Sequence, residues 1–447
     1  MAYLAAVLER CGRSVRIIDA FAESLSREEL LQKLAGSARV IGFYCHTANY
    51  VLVSWLAERL KALPNPPLVI IGGPHATALP EESLRDAPGI DAVVFGEAED
   101  TIIELVDALL AGRSLAGIHG VVYRSDGGQC RNPPRTLVED LDRLPMPAWH
   151  LLPMHRYHSF LETDGKRVVQ LIGSRGCFSD CNYCFSTQMW GTSTRFHSVG
   201  RVLAEAEFLQ NRYGIQFIQF LDDNFTLDAA RAAALGRGLL ERGLSWCCST
   251  RIDLLTADVA RELRRNGVHH VCIGIETVSD RLLKVINKHV TREQTSRTIE
   301  ICRREGVRVM GMFILGIPTE TRTEALETID FAVRNDLYLA VFSFFTAYPG
   351  TNFWRQLRGS PHLASEFPRY CLSREFTYIE PGRTRSELEK LMRSAYLRFY
   401  LRPRVVGRLA AAVVSTPRLA LQTSAGFASV LGNLLWGRLK TADSVKV

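Results

Sequence analysis

The chain has 447 residues, which exceeds the size at which a single hydrophobic core stops growing, so two or three domains are expected. Hydrophobic residues make up 47% and charged residues 23% of the sequence, a composition typical of a folded protein rather than a disordered one. The formal net charge of +7 is small for this length and gives no reason to expect a nucleic acid partner. No run of 18 uncharged apolar residues occurs, so no membrane span is predicted.

The sequence contains eleven cysteines, an odd number, in a long chain with no visible signal peptide. This pattern favours free thiols in a reducing compartment over a framework of disulfides. Cys45, Cys247, Cys248 and Cys272 lie in apolar, strand-like runs, where buried free thiols are common. A cytoplasmic location is therefore predicted.

Residues 1–130 alternate helical and strand-like patterns. Helices are expected at 1–12 and 29–36, and strands at 15–20, 39–47, 67–73 and 91–97. Continuous apolar runs bounded by glycine are typical of buried parallel strands. The segment therefore predicts a doubly wound, Rossmann-like α/β domain, although such domains normally begin with a strand and this sequence begins with a helix.

Residues 131–160 carry five prolines, which predict an extended linker rather than a packed element. A second alternation follows over residues 161–375, with strand-like runs at 167–174, 215–222, 245–251, 268–276, 307–316 and 337–346. Six strand–helix units predict an open, partial (β/α)6 barrel related to the eight-fold TIM barrel. The last segment, 376–447, is expected to be a basic helical appendage, with a helix lying on a membrane surface as the alternative.

Three cysteines are clustered in "GSRGCFSDCNYCFS", where Cys177, Cys181 and Cys184 are spaced C-x3-C-x2-C. This loop follows the first predicted barrel strand, at the end where barrels of this kind carry their chemistry. Structural zinc normally takes four ligands in two separated pairs, and the nearest candidate for a fourth ligand in this sequence is His197. An iron–sulfur cluster with only three cysteine ligands would keep one iron open for another group. The motif therefore favours such a cluster over a zinc loop.

This spacing, with Tyr183 before the last cysteine and on the first loop of a partial barrel, resembles the radical S-adenosylmethionine (SAM) superfamily. The resemblance implies that the three cysteines ligate a [4Fe–4S] cluster and that SAM binds its unique iron. It also implies that an electron from the reduced cluster cleaves SAM and releases a 5′-deoxyadenosyl radical, which abstracts hydrogen from a small-molecule substrate. Flavodoxin or ferredoxin would be a suitable electron donor.

Further SAM contacts are expected at the ends of the later barrel strands. The resemblance places Asp222 or Asp223 near the methionine amino group, although a helix cap is an alternative for aspartates in this segment. Arg251 would bind the methionine carboxylate or form a salt bridge instead. Glu276 would hold ribose hydroxyls, and Gly316 would let the backbone approach adenine or form a simple turn.

The segments "IIGGPHATALPEE" and "FGEAEDTIIELVDAL" resemble the cobalamin-binding domain that precedes the barrel in one large subgroup. Open α/β domains bind ligands at the carboxyl edge of the sheet, and glycines there leave room for a bulky one. The predicted cobalamin-binding residues are Gly72, Gly73, His75, Gly96 and Glu97. Since the subgroup holds cobalamin without a histidine ligand, His75 is expected in a turn or against the cofactor's tail. Family members usually begin with a strand and a loop that touches the corrin ring, and both are expected to be absent because this sequence opens at "MAYLAAVLE".

The resemblance implies an enzyme that methylates an unactivated carbon or phosphorus, with methylcobalamin as the methyl donor. One alternative is a radical oxidation or ring closure without methyl transfer, as in relatives of the anaerobic porphyrin cyclase. Another is a corrinoid- or iron-binding module without catalysis. A methylthiotransferase is less favoured because Cys11, Cys45 and Cys130 are too scattered to bind a second cluster.

Overall fold

A computed structural model of the chain describes residues 1–157, 163, 165–365, 367 and 376–407. The amino-terminal domain contains a five-stranded sheet in the order β1-β2-β3-β4-β5, with β1 to β3 parallel and β4 and β5 antiparallel. Its strands are β1 (Val40–Tyr44), β2 (Leu68–Gly72), β3 (Ala92–Val94), β4 (Val121–Ser125) and β5 (Gly128–Arg131). Its helices are α1 (Ala2–Arg10), α2 (Arg27–Leu34), α3 (Tyr50–Lys61), α4 (Pro74–Ala78), α5 (Pro80–Asp86) and α6 (Thr101–Leu110).

The predicted strand at residues 15–20 is wrong, because this segment forms no ladder with any described strand. Its apolar residues Val15 and Ile17 pack against Ala5 and Ala6 of α1 instead. An apolar alternating run becomes a strand only when a neighbouring strand offers its hydrogen-bonding edge. The hairpin of β4 and β5 was not predicted, although its "SDGG" turn is a typical signal for one.

The second domain contains a six-stranded parallel sheet, and all six strands predicted for the barrel are confirmed. Its order is β13-β12-β11-β10-β9-β6, which is an open half-barrel. The strands are β6 (Val168–Leu171), β9 (Phe217–Phe220), β10 (Ser245–Thr250), β11 (Val268–Glu276), β12 (Val309–Leu315) and β13 (Leu339–Phe344), with a small ladder of β7 (Ser174–Arg175) and β8 (Arg195–Phe196) beside them. The helices are α7 (Ser186–Trp190), α8 (Val199–Tyr213), α9 (Ala229–Glu241), α10 (Ala257–Arg265), α11 (Asp280–Val285), α12 (Arg292–Arg304), α13 (Arg322–Arg334), α14 (Asn352–Leu357) and α15 (Arg385–Tyr400).

The helices of this domain cover the outer face of the sheet, as α8 illustrates. The side chain of Ser198 caps its first turn, and its last turn ends at Gly214. Val202, Ala206 and Leu209 recur at helical spacing and are buried in the main core. The core is therefore formed between the helices and the sheet. The polar residues at the carboxyl ends of the strands are not part of this apolar core.

The connector between the two domains contains three short 3-10 helices, Leu141–Arg143, Trp149–Leu151 and Met154–Arg156, and it is packed rather than loose. Leu141 and Leu144 are buried, and the indole nitrogen of Trp149 donates to the buried carboxylate of Glu205, 2.9 Å away. The nearby His197 contacts Tyr3 and Asp142 and has no contact with the cysteines, so it is not a local fourth ligand. Prolines stop regular structure here without preventing burial.

Helix α15 packs on the barrel through Leu388, Leu391 and Phe399, which confirms a helical appendage. The rest of the predicted appendage, residues 408–447 with the proposed membrane contact, lies outside the described residues. In the part of the chain that the structure describes, no helix is long and apolar enough to cross a membrane.

Buried charges join the two domains. Glu97 and Glu99 follow β3 in the amino-terminal domain, and Arg175 and Arg195 lie on β7 and β8 of the second domain. Arg175 bonds both glutamates, at 3.0 Å and 2.7 Å, and Arg195 bonds Glu97 at 2.9 Å. Because Arg175 lies two residues before Cys177, this network ties the amino-terminal domain to the base of the cysteine loop.

Candidate functional site

The three cysteines lie on the loop between β7 and α7, at the carboxyl end of the half-barrel. Cys177 is buried, Cys181 is partly buried and Cys184 is the most exposed of the three. Each sulfur has a donor directed at it: the side-chain amide of Asn224 lies 3.1 Å from Cys177 Sγ, the Arg251 guanidinium 3.9 Å from Cys181 Sγ, and the Ser186 backbone N–H 3.5 Å from Cys184 Sγ.

This donor set fits a cysteine-ligated cluster. Hydrogen bonds to the sulfurs stabilise their anionic, metal-binding form and are one means by which proteins tune iron–sulfur centres. Among the described residues, no group of three His, Cys, Asp or Glu side chains surrounds one single-ion position. The ligands of a cluster need not converge in this way, since each cysteine binds a different iron. Cys177, Cys181 and Cys184 would hold the cluster.

A second segment, residues 285–289, grips the cysteine loop, and we call it the clasp. The backbone N–H and side chain of Asn182 donate to the carbonyls of Ile286 and Val285, at 3.0 Å and 2.9 Å. Asn287 donates to the carbonyl of Asp180 at 3.2 Å. The clasp therefore fixes the middle of the cysteine loop through its backbone.

Tyr183 was predicted to be a cofactor-binding residue and Glu276 to hold the ribose of SAM, and the structure brings them together with Lys288 of the clasp. The Tyr183 hydroxyl donates to Glu276 Oε1 at 2.9 Å. Lys288 Nζ donates to the same carboxylate oxygen at 3.0 Å and to the Tyr183 hydroxyl at 3.1 Å. Glu276 and Lys288 are buried, and the three side chains form one hydrogen-bonded unit that includes a residue of the cysteine loop.

Arg251 lies at the end of β10, and its guanidinium both forms a salt bridge and lies close to the cysteine loop. Its guanidinium bonds Asp253 at 2.9 Å, which was one of the alternatives left open. It also donates to the Lys288 carbonyl at 2.8 Å and lies over the ring of Phe178, 5.5 Å from its centre. Half of Phe178 is exposed beside it, so this edge of the loop presents an aromatic face and a fixed cation.

The two aspartates after β9 have different environments. Asp222 is buried and accepts from the Gly173 backbone N–H at 2.7 Å and from the Ser174 hydroxyl at 2.6 Å, which anchors the strand leading to the cysteines. Burial raises its pKa to about 6, despite these hydrogen bonds. Asp223 is exposed and accepts from the Ser186 hydroxyl, close to Cys184. Of the pair, Asp223 is the one that faces the open side of the site.

Gly316 lies after β12, and its backbone N–H donates to Glu320 Oε2 at 2.7 Å. Leu388 of α15 lies next to it, 3.6 Å from where a Cβ atom would be. Burial raises the pKa of Glu320 to about 7. The predicted contact of Gly316 with adenine stays a prediction, while the observed hydrogen bond gives this residue a part in shaping the loop.

The predicted cobalamin edge is formed by the ends of β2 and β3. Gly73 adopts a φ of +106°, and a Cβ atom there would lie 2.9 Å from the Cys45 carbonyl, so only glycine fits. Gly72 ends β2, and Gly96, after β3, has open space next to its Cα atom. The hydroxyl of Thr77 in α4 bonds both Gly96 N and Met189 Sδ of α7, at 3.1 Å and 3.6 Å. This edge therefore adjoins the cysteine loop.

His75 and Glu97 lie deeper than the predicted cofactor roles suggest. The His75 ring is buried between Tyr50 and Phe367, and its Nδ1 atom lies 3.3 Å from the Thr47 hydroxyl. Burial lowers its pKa to about 4, so the ring is neutral at pH 7. Glu97 is engaged by the interdomain arginines described above. Their direct contact with a cofactor stays a prediction.

Sequence reasoning missed Lys288, Asn224 and the arginine pair Arg175 and Arg195. Their partners come from distant segments, which no local pattern connects. One signal was available: Asn287 adopts a φ of +54°, and asparagine is enriched in this left-handed conformation, so "INKH" could have marked a tight, functional turn.

Comparison with known proteins agrees with this geometry. Residues 171–332 match the radical SAM superfamily and residues 1–106 match the B12 binding domain. The chain is 37% identical to an uncharacterized methyltransferase of Pyrococcus horikoshii over 91% of this chain and 88% of the relative. It is 30% identical to cytidylyl-2-hydroxyethylphosphonate methyltransferase of Streptomyces wedmorensis, covering 84% and 78%. It is 28% identical to the anaerobic magnesium-protoporphyrin IX monomethyl ester cyclase of Rubrivivax gelatinosus, covering 90% and 73%.

The fold is also shared with a solved structure. The radical SAM methyltransferase TsrM from Kitasatospora setae, with cobalamin and a [4Fe–4S] cluster bound, superposes with a TM-score of 0.69 at 19% identity, covering 90% of this chain and 86% of that one. The protein therefore belongs to the radical SAM superfamily, in the group with an amino-terminal B12 binding domain, and is an enzyme whose cofactors are a [4Fe–4S] cluster, SAM and cobalamin.

Proposed function

We propose that this enzyme methylates an unactivated carbon or phosphorus of a small-molecule substrate in a cobalamin-dependent reaction. The observation that carries the proposal is the contact of α4 with α7, which sets the glycine-lined edge of the amino-terminal domain beside the cysteine loop. Cofactors held at these two sites would be neighbours. The names of two relatives reported above, both methyltransferases, support this assignment.

When bound, the cluster and SAM supply a carbon radical, and cobalamin carries the methyl group. The chain contributes position and exclusion of water. The donors at the three sulfurs would stabilise the thiolates that bind metal, and the hydrogen bond from Tyr183 ties the cysteine loop to Glu276 at the end of β11. The exposed ring of Phe178, which lies against the Arg251 guanidinium, would contact a flat group at the mouth of the site.

A second candidate is a radical oxidation or ring closure without methyl transfer. The 28% identity to the protoporphyrin ester cyclase, over 73% of its length, favours it. The two candidates share the cleavage of SAM and differ in the second product, so one experiment separates them.

The experiment is anaerobic reconstitution with iron, sulfide and cobalamin, followed by assay of SAM-derived products. Methyl transfer predicts both 5′-deoxyadenosine and S-adenosylhomocysteine, whereas the second candidate predicts deoxyadenosine alone. Cys181→Ala and Cys184→Ala should abolish both products, while Cys11→Ala should not, because Cys11 is an exposed residue just after the end of α1. If neither product forms with any reductant, or if Cys181→Ala keeps full activity, the proposal fails.

We further propose that flavodoxin or ferredoxin reduces the enzyme and that the protein is cytoplasmic. The thiols support this, since ten described cysteines are free and a reducing compartment keeps them so. Replacement of a chemical reductant by a flavodoxin system should sustain deoxyadenosine formation; no turnover with either carrier would contradict the assignment.

A further inference from the structure

Lys288 is a buried ammonium that the proposed chemistry leaves without a role. Its side chain is 7% exposed, and Glu276, its carboxylate partner, is 10% exposed. Removing an ammonium and a carboxylate from water is costly, and a well-packed apolar pair would often be at least as stable. Stability alone therefore does not explain a buried pair of this kind at the edge of a site.

The backbone around this pair is strained. Only five non-glycine residues of the described chain have a positive φ, and three of them are Glu276, Asn287 and His289, at +63°, +54° and +57°. They include one member of the pair and both neighbours of the other. Such conformations are unfavourable and persist where the surrounding structure imposes them, most often at functional sites. The fold thus holds the Lys288 ammonium in one position.

That position is against the cysteine loop. Tyr183, which accepts from Lys288, lies between Cys181 and Cys184, and the Lys288 carbonyl accepts from Arg251, whose guanidinium is 3.9 Å from Cys181 Sγ. Arg251 is paired with Asp253, which is 32% exposed, so water screens that pair more than it screens Lys288 and Glu276. The charges of the buried pair act on the loop at close range and low screening.

We propose that Lys288 is a positioning residue whose fixed positive charge, balanced by Glu276, sets the reduction potential of the cluster that the cysteine loop holds. This inference rests on the cluster assigned to the proposed function. Reduction adds negative charge to the centre, so a nearby cation favours the reduced form and a nearby anion opposes it. Because the two members carry opposite charges, their removal must have opposite effects.

The test is a potentiometric titration of the reconstituted full-length protein, monitored by electron paramagnetic resonance at pH 8 without SAM. At the wild-type midpoint potential, K288M should lower the ratio of reduced to oxidised centre about tenfold, which corresponds to 59 mV for one electron. E276Q should raise the ratio about tenfold, and the double variant should return towards wild type.

Two controls separate charge from packing. K288R keeps the charge, and K284M removes the same charge from an exposed lysine on α11, four residues away. Both should stay within about twofold of wild type. The inference would be overturned if the midpoint potential shifts in the same direction in K288M and E276Q, or if it shifts in neither variant. A role in packing alone would loosen the loop in both variants alike.

Iron and sulfide are measured for every variant. If K288M takes up no cluster, E276Q and K288R decide the matter: a raised ratio in the first and a wild-type ratio in the second support the inference, and no shift in E276Q overturns it. Failure of the wild-type protein to form a cluster would instead refute the proposed function, before any variant is compared.

Discussion

The substitution Glu97→Gln probes the buried charges that join the two domains. The carboxylate is 2% exposed and accepts four hydrogen bonds: Oε1 from Arg175 and Arg195, both at 3.0 Å, and Oε2 from Arg195 at 2.9 Å and the Val138 backbone N–H at 2.6 Å. Glutamine keeps the shape but removes the charge. Arg175 would still have Glu99, whereas the other acceptors of Arg195 among the described residues are the carbonyls of Val138 and Trp190.

Neutralising one member of a buried ion pair leaves an uncompensated charge and costs about 3–5 kcal/mol. The matched control is Glu104→Gln on α6, where the carboxylate is 48% exposed and pairs with Arg135 at 2.8 Å. Loss of an exposed pair of that kind costs about 1 kcal/mol or less. The free energy of unfolding should therefore fall several times further in Glu97→Gln than in the control.

The measurement is urea unfolding followed by tryptophan fluorescence, in which Trp190, 5.0 Å from the Arg175 guanidinium, reports on the interface. Burial raises the pKa of Glu97, but the bonds from Arg195 and Arg175 outweigh it and hold the pKa below its ordinary value of 4.5. The stabilisation is therefore present above pH 4.5 and is lost as the pH falls through the lower folded pKa. Equal destabilisation by Glu97→Gln and Glu104→Gln at pH 7.5, or a difference that persists in acid, would refute this reasoning.

Two further substitutions test the walls of the site. Gly350→Ala should lower the iron bound per chain severalfold, because its Cβ atom would collide with the ring of Phe185 next to Cys184. The control is Gly359→Ala, which has the same φ of +85° but open space around it and should bind iron normally. Equal iron contents in the two variants would contradict the packing described here. Glu320→Gln should remove a pH dependence of stability. Because the folded pKa of Glu320 is about 7 and its ordinary value is 4.5, the free energy of unfolding of the wild type should fall by about 3 kcal/mol as the pH rises from 4.5 through 7. Urea unfolding at pH 5 and pH 8 should show this decrease in the wild type and not in the variant.

Much of the fold could be predicted because burial imposes patterns on neighbouring residues. The runs that became β11 and β12 are apolar over most of their length and could hardly be anything but buried strands. The error at residues 15–20 shows the limit of this reasoning. The apolar residues Val15 and Ile17 fit the pattern of a strand. Strand pairing also requires a neighbouring strand, and a local sequence pattern does not show whether one is present.

The site was predictable in its location and not in its contacts. Parallel strands bring their carboxyl ends to one edge, so Asp222, Arg251 and Glu276 had to be neighbours once the barrel was assigned. Which groups would neutralise them was not encoded locally. Glu276 meets Lys288 twelve residues later, after a helix, and the sulfur of Cys177 meets Asn224 from another strand end, 47 residues away. Such partners follow from the tertiary structure, and the sequence alone gives no register for them.

The cysteine loop illustrates why the site depends on the whole barrel. It follows β6, at one end of the open sheet, yet the carbonyl of Asn182 accepts from the Phe353 backbone N–H at 3.1 Å, beyond β13 at the other end. Phe185 packs against Gly350 in the same region. The loop therefore bridges the two ends of the half-barrel, and its shape depends on contacts with both. A motif of eight residues would supply the sulfur ligands, but their positions are set by contacts made about 170 residues further along the chain.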